Sequence, residues 1–272
     1  MTLSATTLPG AAFSISPAGG SMPLGRLIHA YVTEAKYESL RLLRTLAFAL
    51  PILILPLIVY VMFGILMTRD VVAKTPSVAN LMFCGYSIFA VMGPALFSMG
   101  VSLAIERDAG LMKLKRALPA PPGAYLLAKM LTALFFAVMA VTIMTTVGLV
   151  MGKVTLTPVQ IALVDIVLVV GALPFCAIGM FIGAHVSGGA APAVANLVFL
   201  PMTWFSGLFF PPPAFLKPFV VIFPAYHLDQ LALAAAGLKQ FQAGNPLISL
   251  AVLVGVTVVF GGLAIRKLAL KG

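Results

Sequence analysis

Asp165 is the one charged side chain inside an otherwise apolar run of this 272-residue chain. A carboxylate in such surroundings is costly enough to mark either an ion or proton site or a hydrogen-bonded structural group. It sits a few residues from one end of its run, within reach of water or Lys153, and we read it as structural. The other side chains capable of chemistry do not assemble in sequence. His29, His185 and His227 are scattered without metal-ligand spacing, so no metal site is expected, and each suits a membrane boundary or loop. Cys84 and Cys176 both lie in apolar runs and read as packed thiols. The Gly152-Lys153 pair has Val147 where a phosphate-binding loop needs glycine and Val154 where it needs Ser or Thr, so any nucleotide must bind another chain. A lipid-modifying membrane enzyme should show clustered carboxylates or histidines near the end of an apolar run, and none is found.

The elements that hold these residues are long apolar helices. Hydrophobic residues make up 61% of the chain and charged ones 9%, where a soluble domain carries about 25%. The charges cluster between apolar runs at about 46–67, 81–104, 130–151, 161–184, 194–210 and 247–265, each judged against the ~30 Å of a bilayer core. The expected fold is therefore an all-α, polytopic membrane protein of six spans. Between the fifth and sixth, Pro218, Pro224 and Gly237 break apolar pieces too short to cross, which reads as a helical re-entrant segment. Residues 1–23, without a charged side chain, read as a flexible tail. Leu24, Leu27, Ile28, Tyr31, Val32, Ala35, Leu42 and Leu46 recur at helical spacing opposite Arg26, Thr33, Lys36, Arg41 and Arg44, so 24–45 is expected to be an amphipathic interfacial helix, with Glu38 intruding on its apolar edge. The transmembrane domain is then 46–272.

The net charge of +10 flanks the apolar runs rather than forming an aromatic-interleaved patch, which argues for topology and against nucleic acid. Twelve of the 17 Lys and Arg residues fall on the face carrying both termini (Arg26, Lys36, Arg41, Arg44, Arg107, Lys113, Lys115, Arg116, Lys129, Arg266, Lys267, Lys271), so that face is expected to be cytoplasmic. Within the spans, Pro51, Pro56, Pro94, Pro174 and Pro201 should bend helices, and Gly179 with Gly183 forms a small-xxx-small pair suited to close helix contact.

The connection from Glu106 to Leu131 reads as a charged helix of about three turns with Leu111, Leu114 and Leu118 as an apolar edge. Pro119, Pro121 and Pro122 stop it, and a new helix starts near Tyr125. This stretch resembles the first cytoplasmic loop of the ABC-2 family of export permeases, through Glu106, Arg107, Gly110, Leu114, Arg116, Pro119 and Lys129; Leu111 departs from it, since a small hydroxyl residue is common there. The Arg41-Leu42-Leu43-Arg44 approach to a Pro-containing first span is similar to the family's, as is LPMTWFSGLFFPPPAF leading through FPAYHLDQLALAA to the last span.

The resemblance implies a half-transporter of the cytoplasmic (inner) membrane that has no catalytic site or cofactor of its own. It would pair as a homodimer or with a similar permease, sit among membrane lipids, and bind two copies of an ABC ATPase carrying ATP and Mg. Coupling to that ATPase would run through Glu106, Arg107, Asp108, Gly110, Leu111, Leu114, Lys115, Arg116 and Leu118. Glu106 and Arg107, at the base of the second span, are placed to pair with Arg41, Arg44 or Glu38. An amphiphilic or polymeric substrate would leave between the two permeases. Asn196, Phe199, Thr203, Ser206 and Phe210 share one face of the fifth span, mixing polar and aromatic groups as a substrate path would. Helix packing through Ser and Thr accounts for the same face. Phe89 and Met92 on the second span either join that path or pack. The rival to an ATP-driven exporter is a secondary transporter or channel using Asp165.

Overall fold

The computed structural model describes residues 24–68, 75–112, 114, 124–209 and 217–271. Among these, every regular element is helical. Helix α1 (Leu24–Arg44) turns at Thr45 into α2 (Leu46–Val59), which continues as a π-helical stretch, Tyr60–Leu66. Pro51 and Pro56 lie inside α2, where each removes an amide donor from the ladder. Next, α3 (Pro76–Phe97), a π-helical stretch (Ser98–Ser102) and α4 (Leu103–Asp108) run on as one rod. Pro94 precedes the wide turn, as expected of a residue that disrupts the ladder.

That rod is the axis of the molecule. Phe83, Cys84, Ile88, Val91, Met92 and Leu96 are fully enclosed, and α2, α5 (Ala124–Val150) and α7 (Leu173–His185) pack around it. From Ser77 to Asp108 it holds 32 apolar-rich residues. At 1.5 Å per residue it is about 48 Å long, well over the ~30 Å of a hydrocarbon core, so its charged tip, Glu106 to Asp108, reaches past the apolar zone.

The small-residue pair does what its spacing suggests. Gly179 and Gly183 of α7 lie against the rod, where a Cβ on Gly179 would stand 2.6 Å from the Leu96 carbonyl oxygen and one on Gly183 2.9 Å from that of Gly100. Backbone meets backbone there, which only glycine permits. On its other side α7 packs on α11 (Pro246–Lys271), with Phe181 edge-on to Phe260 at 5.3 Å between ring centres.

Helix α6 (Pro158–Val170) opens with a capping box, the Thr157 hydroxyl accepting from the Gln160 N–H while the Gln160 side chain accepts from the Thr157 N–H. It is separated from α7 by a break at Gly171–Ala172, and the Gly171 position is one that a Cβ would fill 2.2 Å from Leu228. Helix α8 (Ala191–Phe205), with 15 residues, spans only about 22 Å. Among the described residues, five helical stretches, α6 and α7 together making one, are long and apolar enough to cross a membrane, with α8 a shorter apolar helix beside them; six spans were expected.

After α8 come short helices where the sequence places them: α9 (Lys217–Val220), α10 (Pro224–Ala235) and a 3-10 turn, Lys239–Phe241. Helix α10 packs on α6, α11 and the rod, and buries His227 between the Ser249 hydroxyl at 3.2 Å and the Val221 carbonyl at 2.8 Å. Large apolar side chains such as Leu55, Phe135, Ile166, Leu197 and Val258 point outward, a surface suited to hydrocarbon rather than water.

On α1, Leu42 is buried against Phe136 while Ile28, Val32 and Leu46 are exposed, and Glu38, at the apolar edge, is buried. One expectation changes: the three-turn helix expected from Glu106 is not continuous. Helix α4 ends at Asp108, and Gly110 takes a left-handed backbone (φ 74°), which turns the chain before Leu111, Met112 and Leu114 become helical again. Lys113, Lys115, Arg116 and Leu118 lie outside the described residues, as do the tail 1–23 and Phe210.

Candidate functional site

At the tip of the rod three helices meet in a buried cluster of charge. Lys129 of α5, 2% exposed, places its ammonium 2.7 Å from Glu38 Oε1, 3.0 Å from Glu106 Oε1 and 2.7 Å from the Ser102 hydroxyl. Arg41 reaches in from α1, donating to Glu38 Oε1 at 2.8 Å and also to Glu106. Tyr125 donates its phenol to the other oxygen of Glu106, which lies 5% exposed. Two carboxylates thus face two cations. The sequence reason is local: α1 presents Glu38 and Arg41 at i, i+3 on one face, and Ser102 with Glu106 at i, i+4 continues that surface on the rod.

The electrostatics follow from this balance. Burial works against the Arg41 cation, but the hydrogen bond to Glu106 and the charges of Glu38 and Glu106 outweigh it and hold its pKa above the ordinary arginine value. An ion pair taken out of water is stable only when hydrogen bonds fill its remaining positions, and Ser102 and Tyr125 supply them. Ser39 and Thr132 add a neutral bond between α1 and α5 at 3.1 Å. The arrangement holds no nucleophile beside a free base. What it can do is fix α1, the rod and α5 to one another, so that a push on one moves all three.

Glu106 pairs with Arg41, one of the partners expected of it; Glu38, expected as a partner of the Glu106–Arg107 pair, meets Arg41 and Lys129 instead, and Arg107 goes elsewhere. Its guanidinium donates to the carbonyls of Gly183 at 2.8 Å and Val186 at 2.9 Å, at the C-terminal end of α7, where backbone carbonyls lack helical partners. Asp108 accepts from the Gly188 N–H at 2.6 Å and from Arg107 at 2.9 Å. Adjacent residues on the rod therefore grip the link between α7 and α8. Gly188 itself stands so close that a Cβ would lie 2.9 Å from the Ile105 Cα. Sequence reasoning missed this grip; its only linear signal is the Ser-Gly-Gly turn after His185 on the same charge-rich side.

The remaining candidates fall in two places. Leu111 and Leu114, beyond the Gly110 turn, are exposed apolar side chains, and Leu114 is the more open at 62%. On the fifth-span face, Phe199 packs against Phe89 and Phe97 with ring centres 5.3 Å and 5.5 Å apart. Thr203 donates to the Phe199 carbonyl and Ser206 to that of Met202, Met92 is enclosed, and Asn196 is exposed, bonded to the Pro192 carbonyl of its own helix. Asp165 accepts a hydrogen bond from Thr145 of α5 at 3.0 Å.

An apolar helical body whose charged tip ties three helices together has the form of a membrane permease. The family model for the ABC-2 type transporter matches residues 30–243, and the chain belongs to that family: it is a membrane permease of an ABC transporter, of a kind that associates with an ABC ATPase subunit. It is also 26% identical over 193 residues, covering 70% of this chain and 78% of the relative, to "Putative transport permease YvfS" of Bacillus subtilis (strain 168).

Proposed function

We propose that this chain is the membrane-spanning half of an ABC exporter of the cytoplasmic membrane, with both termini cytoplasmic, working as a pair of permeases with two ATPase subunits. The observation that carries the reading is the buried Glu38–Arg41–Glu106–Lys129 cluster, which makes a single mechanical unit of three helices beside the connection bearing Leu111 and Leu114. ATP hydrolysed on the partner would press on that connection, and the grip of Arg107 and Asp108 on the α7–α8 link would carry the motion to α8. The seam opened is the one where Phe199 of α8 meets Phe89 of the rod, and an amphiphile would pass there because its apolar body finds aromatic walls while Thr203 and Ser206 offer hydroxyls.

The test is assembly with the ATPase. Leu114→Asp puts a charge on an exposed apolar contact edge, and it should cut copurification of the ATPase by about tenfold or more, the loss of one well-buried interface anchor. The isolated permease should keep its folded state, since Leu114 supports no core contact. Undiminished copurification would remove this edge from the docking surface.

Sidedness is checked separately. A single cysteine at residue 239 should react with an impermeant maleimide applied outside intact cells, and one at residue 113 should react only after lysis. Labelling of both from one side would refute the arrangement of spans.

A further inference from the structure

At the opposite end of the rod from the charge cluster lies a cavity of about 350 Å³, walled by the start of α3, the segment after α8, α10 and the chain beyond it. We propose that this cavity binds the ammonium head of a small amphipathic organic cation, with Asp229 as its counter-charge.

Asp229 lines the cavity and is only 8% exposed, yet among the described residues no donor or cation reaches its carboxylate. Every other buried carboxylate described above has partners: Glu38 and Glu106 each meet Lys129 and Arg41. A buried carboxylate left without them is expensive, and proteins relieve the cost by supplying a cation or a proton. Burial alone pushes the Asp229 pKa up to about 7, so an arriving ammonium has both charge and hydrogen bonds to gain there.

The rest of the lining fixes the kind of cation. Leu81, Leu233 and Phe241 form apolar walls, which would cover a hydrocarbon or aromatic body. Tyr226 and Gln230 are the polar neighbours of Asp229, and the Gln230 side-chain oxygen Oε1 already accepts from the N–H groups of Ala243 at 2.7 Å and Gly244 at 2.9 Å, which shapes the lip of the cavity. A divalent metal needs several oxygen or nitrogen ligands, and among the described residues no three His, Cys, Asp or Glu side chains converge. One carboxylate in an apolar chamber suits a singly charged amine with an apolar body. The site requires neither ATP nor a direction of transport, so it stands apart from the export reading.

The experiment uses the full chain alone in phosphatidylcholine nanodiscs, titrated calorimetrically with 1-naphthylmethylamine, which is protonated at neutral pH, and with its uncharged counterpart 1-naphthylmethanol. Empty discs correct for partition into lipid. The amine should bind at least about tenfold more tightly than the alcohol, the scale of a charge-assisted hydrogen bond. Asp229→Asn, nearly the same shape, should bring the two within about twofold of each other, while Ala243→Trp, which fills the mouth and spares the carboxylate, should weaken both by about tenfold or more. Equal binding of the two probes by the natural chain, an undiminished preference in Asp229→Asn, or unaltered binding in Ala243→Trp would each overturn the proposal.

Discussion

Lys129→Ala will lower the stability of the isolated permease by about 3–5 kcal/mol, the range for removing one partner of a buried ion pair. The ammonium is enclosed and bonded to Glu38, Glu106 and Ser102. Without it two carboxylates share a single, half-exposed arginine, and their repulsion adds to the lost bonds. The paired substitution separates this from a mere cavity. Glu38→Leu with Lys129→Leu removes one charge of each sign and leaves Glu106 with Arg41, Ser102 and Tyr125, so it should recover most of the loss. Unfolding in a titration with sodium dodecyl sulfate, followed by circular dichroism, gives both values. Should the double variant be as unstable as the single one, charge balance is not what holds the three helices together. Reconstituted with its ATPase, the double variant should hydrolyse ATP while transport falls, because α1 is no longer tied to α5 by charge.

Gly179→Leu will prevent α7 from seating on the rod, and Gly179→Ala will cost about 1–3 kcal/mol, the usual range for overpacking. The added Cβ would meet the Leu96 carbonyl at 2.6 Å, and that atom belongs to backbone in the most enclosed helix of the molecule, so neither partner can turn aside. Gly255→Ala is the internal control: it too sits in a long apolar helix, with nothing within 4 Å of its would-be Cβ, and should be neutral. The same detergent titration compares them. A loss at Gly179→Ala no larger than at Gly255→Ala would show that the close approach does not govern packing here.

Where the sequence could be read, it was read through local physics. Hydropathy located the long helices because burial in lipid demands about 20 apolar residues in a row, and that demand is visible in one dimension. The Glu106–Arg41 pair was accessible for a similar reason: both residues stand at the charged end of apolar runs, where opposite charges on adjoining elements are drawn together. Lys129 could not be placed the same way. In sequence it is one more basic residue on the charge-rich side; only the packing of α1 and α5 on the rod encloses it between two carboxylates. The partners of Arg107 are carbonyl oxygens at the end of α7, and a carbonyl has no signature in the sequence. Asp229 has no signal in the sequence, since its isolation is a property of the cavity, which brings the start of α3 against residues more than 120 positions later in the chain. Gly110 stands in a run whose composition favours helix throughout, and its left-handed backbone, which ends α4 at Asp108, depends on a turn that a single glycine does not announce.

The π-helical stretch at Ser98–Ser102 interrupts the rod in its last third, just before the charged tip. A wide turn of this kind holds one residue more than the α-helical path requires, and each α-helical residue advances the chain by about 100° of rotation. The stretch therefore acts as a phase setter between the two parts of the rod. Upstream of it Met92 and Leu96 face the enclosed interior; downstream of it Glu106 faces Lys129. Were all of its residues to wind instead as ordinary α-helix, the extra one would swing the tip by about 100°. Glu106 would then leave its cations, and Arg107 and Asp108 would leave the α7–α8 link, although no contacting side chain had been altered.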